Sequence, residues 1–140
     1  MRIEVNTNIE NIDWSLIPET LKSVGMGHYS PEEHKKAFEA SYCTVFMYDE
    51  DKMVGFGRAI SDGSYQAAIY DCAVIETYQG KGLGKKIVEE LISHLKGCNI
   101  ILYSSPGKEG FYETLDFKKM KTGMAYFINH ESMSERGFTE

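Results

Sequence analysis

Ile69-Tyr70-Asp71-Cys72-Ala73-Val74-Ile75, followed after three residues by Gln79-Gly80-Lys81-Gly82-Leu83-Gly84, is the segment from which the rest of the chain can be placed. A strongly apolar, β-type run gives way to three glycines in five residues, and then to a periodic helix. From Leu83 the apolar residues Ile87, Val88, Leu91, Ile92 and Leu95 share one helical stripe, with Lys85, Lys86, Glu89, Glu90 and Lys96 on the other face and Gly97 closing the helix. Glycines let the backbone turn tightly and approach a ligand with no side chain between. The following helix turns its unpaired N–H groups and the positive end of its dipole toward that loop. Strand, loop and helix together predict an anion pocket suited to a phosphate or pyrophosphate.

Upstream, residues 42–48, 53–60 and 65–75 form three strand candidates separated by Asp49-Glu50-Asp51-Lys52 and Ser61-Asp62-Gly63-Ser64, the pattern of an antiparallel meander. Before them, residues 2–6 suggest a short strand. Trp14, Ile17, Leu21 and Val24 recur at helical spacing across residues 13–24, and Ser30-Pro31-Glu32-Glu33 opens a second helix running to about Ala40. Downstream, residues 99–103 read as a strand which, arriving after a helix, lies parallel to residues 65–75. A short helix is expected over residues 108–115, strands at about 117–120 and 124–128, and a tail of no clear period over residues 129–140. The sum is an α+β fold in α/β/α layers: a mixed, mostly antiparallel central sheet with about four helices, in a single domain spanning residues 1–140.

The 140 residues carry a net charge of −6, which argues against a general nucleic-acid binder. The charge is unevenly spread: residues 1–76 hold 6 Lys/Arg against 13 Asp/Glu, whereas residues 77–121 hold 8 against 5. The glycine loop thus lies in the one basic part of an acidic chain, where a phosphate-bearing ligand fits. No apolar run reaches the roughly 20 residues that cross a membrane. Cys43, Cys72 and Cys98 are odd in number and show no zinc-like spacing, so no metal is expected and a reduced, cytoplasmic setting is the simple expectation.

Two nucleotide signatures fail on the glycine loop. A P-loop requires G-x-x-x-x-G-K-[ST], and the dinucleotide fingerprint requires G-x-G-x-x-G at the start of a βαβ unit. Gly80, Gly82 and Gly84 match neither spacing. The pattern Q-x-x-G-x-G at Gln79, Gly82 and Gly84 instead resembles the acetyl-CoA signature of the Gcn5-related N-acetyltransferases. Cys72-Ala73-Val74 occupies that family's strand end before the loop. Gly110-Phe111-Tyr112-Glu113-Thr114-Leu115-Asp116-Phe117 is similar to its F-Y-x-x-x-G-F segment, with Asp116 in place of the usual glycine.

The resemblance implies the family fold, with a splayed parallel pair of strands, and acetyl-CoA as cosubstrate. The backbone N–H groups of Gln79, Gly80, Lys81, Gly82, Leu83 and Gly84 would cradle the CoA pyrophosphate, with Lys81 and Lys85 as mobile charges near it. The pantetheine arm would lie between the splayed strands along Cys72, Ala73 and Val74, and an N–H near Val74 would polarise the thioester carbonyl. Tyr112 matches the tyrosine that protonates the departing thiolate. The family is often dimeric, so a homodimer is a further expectation.

From the residues themselves, Asp71 is a carboxylate inside an apolar strand, where alternation puts it on one face with Ile69, Ala73 and Ile75. It is read either as a relay for, or binder of, the acceptor ammonium, or as a structural aspartate. Arg58 is read as an anchor for an acceptor anion or as a cross-strand ion pair. Glucosamine-phosphate members carry Ile-Glu-Asp on this strand and an Asn before the tyrosine; here Ile69-Tyr70-Asp71 and Lys108 match only the aspartate. The acidic N-terminal part favours a cationic amine such as a polyamine, arylalkylamine or aminoglycoside as acceptor, with an amino-sugar phosphate or a protein amine (a lysine side chain or N-terminus) as the alternative acceptors. Two functions follow: an N-acetyltransferase for a primary amine, and an acyl-CoA-binding module without turnover.

Overall fold

The computed structural model describes residues 1–140 as two compact units, Met1–Leu102 and Tyr103–Glu140. The first unit holds a five-stranded sheet in the order β1 (Ile3–Asn6), β2 (Cys43–Asp49), β3 (Lys52–Ser61), β4 (Gln66–Val74) and β5 (Asn99–Ile101). All neighbours are antiparallel except β4 and β5, which run parallel as expected after the crossover helix α3 (Leu83–Ser93).

Helices α1 (Leu16–Ser23) and α2 (Pro31–Glu39) cover one face of this sheet. Ser30 caps α2 by accepting a hydrogen bond from the Glu33 N–H at 3.2 Å, with Pro31 at the first helical position, as its sequence predicts. Ile17 and Leu21 of α1 and Phe38 of α2 bury against Phe46, Phe56 and Ala73 of the sheet. Helix α3 covers the other face through Ile87, Val88 and Leu91, all fully buried. Its close seating depends on Gly57: a Cβ there would stand 2.7 Å from Ile87 Cγ2 and 2.8 Å from Cys72 Sγ. This is the layered α/β/α arrangement read from the sequence, built around one apolar core.

The second unit contains α4 (Glu109–Glu113) and α5 (His130–Glu135). An aromatic cluster joins Tyr103, Phe127 and Phe138, with ring centroids 5.4 to 6.4 Å apart and edge-on. Two expectations fail here. Residues 117–120 and 124–128 form no strands, because apolar alternation needs a partner edge as well as a period. Met124, Tyr126 and Ile128 alternate as a strand would, yet stand 97%, 96% and 95% exposed. The tail, in turn, is helical over α5, bringing the helices to five. Asn129 caps it by accepting from the Ser132 N–H, and Gly137 at φ +85° ends it, with the Phe138 N–H donating to the Met133 carbonyl at 2.9 Å. An Asn cap and a terminal glycine were both legible; the helix is too short to show a period.

Candidate active site

The strand β4 is broken in register where the site begins. Phe56 pairs with Ala73, but Arg58 pairs with Tyr70, so β4 has one extra residue opposite Gly57. Asp71 absorbs it by adopting φ +56°, in the left-handed region. The bulge overturns the face assignment made from alternation. Tyr70 lies with Arg58 and Phe38 on the α1/α2 face, Ala73 belongs to the same core cluster, and Ile69 therefore faces α3. Asp71 is turned toward Arg58: the guanidinium Nε donates to Asp71 Oδ2 at 2.7 Å, with the two side chains 15% and 21% exposed. Arg58 is thus the cross-strand ion pair, and its plane is held by the rings of Phe38 (5.8 Å) and Tyr70 (5.4 Å). Nη1 also donates to Ser41 Oγ at 3.4 Å.

Beyond the bulge the open edge of β4 appears. β5 pairs only with Gln66, Ala67 and Ala68, so the sheet's parallel pair separates before the bulge and the strand end at Cys72, Ala73 and Val74 has no β5 partner. The Cys72 sulfur points the other way, toward Gly57 and Ile87, where burial pushes its thiol up to about 12. It is a packing group and no nucleophile.

The chain then passes through a 3₁₀ turn, Glu76–Tyr78, into the glycine loop. Two side chains moor this passage. The Tyr78 hydroxyl donates to Asp49 Oδ2 at 2.5 Å, and the Gln79 amide Nε2 donates to the Val74 carbonyl at 2.9 Å. The Gln79 N–H, expected in the cradle, is instead spent on the Glu76 carbonyl at 3.1 Å, because the 3₁₀ turn reaches it; the glutamine works through its side chain, tying the loop to the end of β4. Gly80 and Gly82 stand at φ +76° and +81°, and a Cβ on either would meet nothing within 4 Å. Leu83, buried against the core, fixes the first turn of α3. The N–H groups of Gly80, Lys81, Gly82, Leu83, Gly84 and Lys85 donate to no protein acceptor, and no side chain caps the helix. Six successive free donors at a helix start, with the Lys81 and Lys85 side chains exposed beside them, form the cradle that a pyrophosphate requires.

His34 is a site-side residue that the sequence reading passed over. It lies one turn before Phe38 on the inner face of α2 and is only 3% exposed. Tyr29 N–H donates to its Nε2 at 2.9 Å, which leaves the ring proton on Nδ1. Burial lowers its proton affinity, partly opposed by the Asp71 carboxylate and reinforced by Arg58 and His28. Its signal was positional: on a helix whose apolar stripe is thin, the residue four before Phe38 must be buried.

In the second unit, Tyr112 sits in the last turn of α4. Its carbonyl accepts from the Phe117 N–H at 3.1 Å, while the Asp116 N–H donates to the Glu113 carbonyl at 3.1 Å. This is a Schellman ending, sealed by the Tyr112 and Phe117 rings 5.8 Å apart. Asp116 occupies its left-handed position at φ +68°. The aspartate therefore keeps the conformation that glycine usually supplies, since Asp tolerates this region better than most residues.

A layered sheet whose bulged fourth strand opens beside an anion cradle defines an acyltransferase domain. The chain belongs to the acetyltransferase (GNAT) domain family, which it matches over residues 18–130. It is 30% identical to serotonin N-acetyltransferase 2, chloroplastic, of Oryza sativa subsp. japonica, over 92% of this chain and 70% of that protein. It is 31% identical to an uncharacterized ycf52-like N-acetyltransferase of Prochlorococcus marinus, over 79% of this chain and 65% of that one. Among solved structures, a probable acetyltransferase of meticillin-resistant Staphylococcus aureus superposes with a TM-score of 0.80 at 24% identity, covering 90% of this chain and 98% of that one. Glucosamine-6-phosphate N-acetyltransferase of Arabidopsis thaliana superposes with a TM-score of 0.73 at 23% identity, covering 91% and 99%. The chain is accordingly an N-acetyltransferase of the acetyl-CoA-using type.

Proposed function

We propose that the chain transfers acetyl from acetyl-CoA to the primary amine of a small molecule, by direct attack within a ternary complex. The observation that carries this reading is the run of six unpartnered N–H groups at residues 80–85, following the end of β4 that has no β5 partner. In the reaction the amine nitrogen bonds to the thioester carbonyl carbon, the C–S bond breaks, CoA departs as the thiol, and one proton is released overall.

The chain's own groups divide the work. Residues 80–85 hold the diphosphate, with Lys81 and Lys85 screening its charge. The β4 backbone at Cys72, Ala73 and Val74 aligns the extended arm, and an N–H near Val74 polarises the carbonyl. Asp71 receives the acceptor's ammonium end, and Tyr112, on the strength of the Phe111-Tyr112 segment, gives a proton to the departing sulfur. A relative whose name specifies serotonin supports a small amine as acceptor.

The test is thiol release from acetyl-CoA over a panel of amines. Turnover on at least one small primary amine is expected, with Tyr112→Phe lowering kcat by about 100- to 10,000-fold and leaving acetyl-CoA affinity unchanged. Binding of acetyl-CoA without thiol release on any acceptor would replace the enzyme by an acyl-CoA-binding module.

A further inference from the structure

We infer that Arg58 is a positioning residue for the acceptor: it holds the Asp71 carboxylate in the β4 bulge with one oxygen engaged and the other open, and the open oxygen receives the ammonium of a monocationic amine that carries no acid group. The inference rests on the transferase reading above and names its substrate class.

The left-handed backbone at Asp71 is one that most L-residues avoid, so something must hold it. Arg58 supplies the hold through its Nε–Oδ2 bond of 2.7 Å. The arginine is itself held by its neighbours. Phe38 and Tyr70 flank its plane, and Ser41, whose hydroxyl donates to the Ala37 carbonyl at 2.8 Å, keeps its oxygen free to accept from Nη1. Nε and Nη1 are therefore engaged by Asp71 of the neighbouring strand and by Ser41, just past α2.

Asp71 Oδ1, by contrast, takes no hydrogen bond from the protein, and no buried side-chain oxygen is left unsatisfied, so Oδ1 is an acceptor open to solvent. A carboxylate with one oxygen locked and one open is an oriented receptor for a single N–H donor group. The surrounding charges set the selectivity. Asp71 meets Arg58 from β3, and His34 brings with it Glu33 from α2 and His28 from the preceding loop. Arg58 is the one cation in ion-pair contact with Asp71, and its Nε and Nη1 are already engaged. An amine with a neighbouring phosphate or carboxylate would set a second anion beside the Asp71 carboxylate, whose one paired cation is already engaged, whereas a monocation brings only the attractive contact.

The experiment compares phenethylamine with glucosamine 6-phosphate as acceptors at saturating acetyl-CoA, in the full chain and in Asp71→Asn, Arg58→Lys, Arg58→Gln and the Arg58→Lys/Asp71→Asn pair. Phenethylamine is expected to exceed glucosamine 6-phosphate in kcat/KM by about 100-fold. Asp71→Asn and Arg58→Lys should each raise the phenethylamine KM by about 10- to 100-fold. Acetyl-CoA affinity, measured by calorimetry, should stay unchanged in both and certify the fold. Arg58→Lys serves where Arg58→Gln fails to fold. Because Arg58 acts through Asp71, the double variant should be no worse than Asp71→Asn alone.

An unchanged KM in Asp71→Asn, multiplying effects in the double variant, or preference for glucosamine 6-phosphate would each overturn the assignment. If the wild type releases no CoA on any amine, the transferase reading falls separately. Calorimetric binding of phenethylamine to wild type and Asp71→Asn then still decides the Asp71 role, equal affinities refuting it.

Discussion

Gly82→Ala isolates the contribution of the cradle from that of the fold. Gly82 has φ +81°, and Gly97, at the far end of α3, has the same φ; a Cβ added to either meets nothing within 4 Å. Both substitutions therefore carry the same backbone penalty and no clash. Left-handed backbone costs a non-glycine residue about 1–2 kcal/mol, so both variants should lose about that much stability, read as a modest fall in Tm. Their ligand binding should differ. Relaxing Gly82 out of the left-handed region rotates the amides on either side of it, and these are two of the six free donors. A hydrogen bond to a charged group is worth about 1.5–3 kcal/mol, so losing one weakens acetyl-CoA binding by roughly 10- to 150-fold. Isothermal calorimetry on wild type, Gly82→Ala and Gly97→Ala measures the difference directly. Equal acetyl-CoA affinity in the two variants would refute the cradle.

Other consequences are as direct. Asp116→Gly should stabilise the chain by about 0.5–1 kcal/mol, since glycine occupies the left-handed position without strain, and chemical denaturation reads the gain. Gln79→Ala removes the Nε2 bond to the Val74 carbonyl. It should cost about 1 kcal/mol in stability and weaken acetyl-CoA binding further, because the loop loses its tie to β4. His34 is held neutral by burial, with its affinity for a proton lowered from the ordinary 6.5. The unfolded chain then binds the extra proton first, so stability is full above about pH 6.5 and declines as the pH falls below it. Protonation also removes the acceptor for Tyr29 N–H. His34→Gln should flatten that acid limb in thermal melts taken between pH 7 and 5; an unchanged limb would remove His34 from the account.

The local features of this chain were legible wherever short-range chemistry decides them. The Ser30 cap, the meander turns, the α3 stripe and the glycine loop each follow from residues within a few positions of one another. Asp116 was legible as a departure from the pattern, but its left-handed φ shows that the departure preserves the turn. The strands expected at residues 117–120 and 124–128 were misread because a strand is defined by its partner, and a partner is a property of the folded chain.

The sequence by itself determined the donor side: two glycines before an amphipathic helix and a third in its first turn leave free N–H groups whatever the rest of the molecule does. Tertiary structure alone decided the surroundings of Asp71, proposed above as the acceptor side. One extra residue opposite Gly57 reverses the alternation of β4 and carries Asp71 to Arg58. Strand periodicity assumes an unbroken ladder, and a bulge is settled by how two strands fit the helices above and below them, which no single segment encodes.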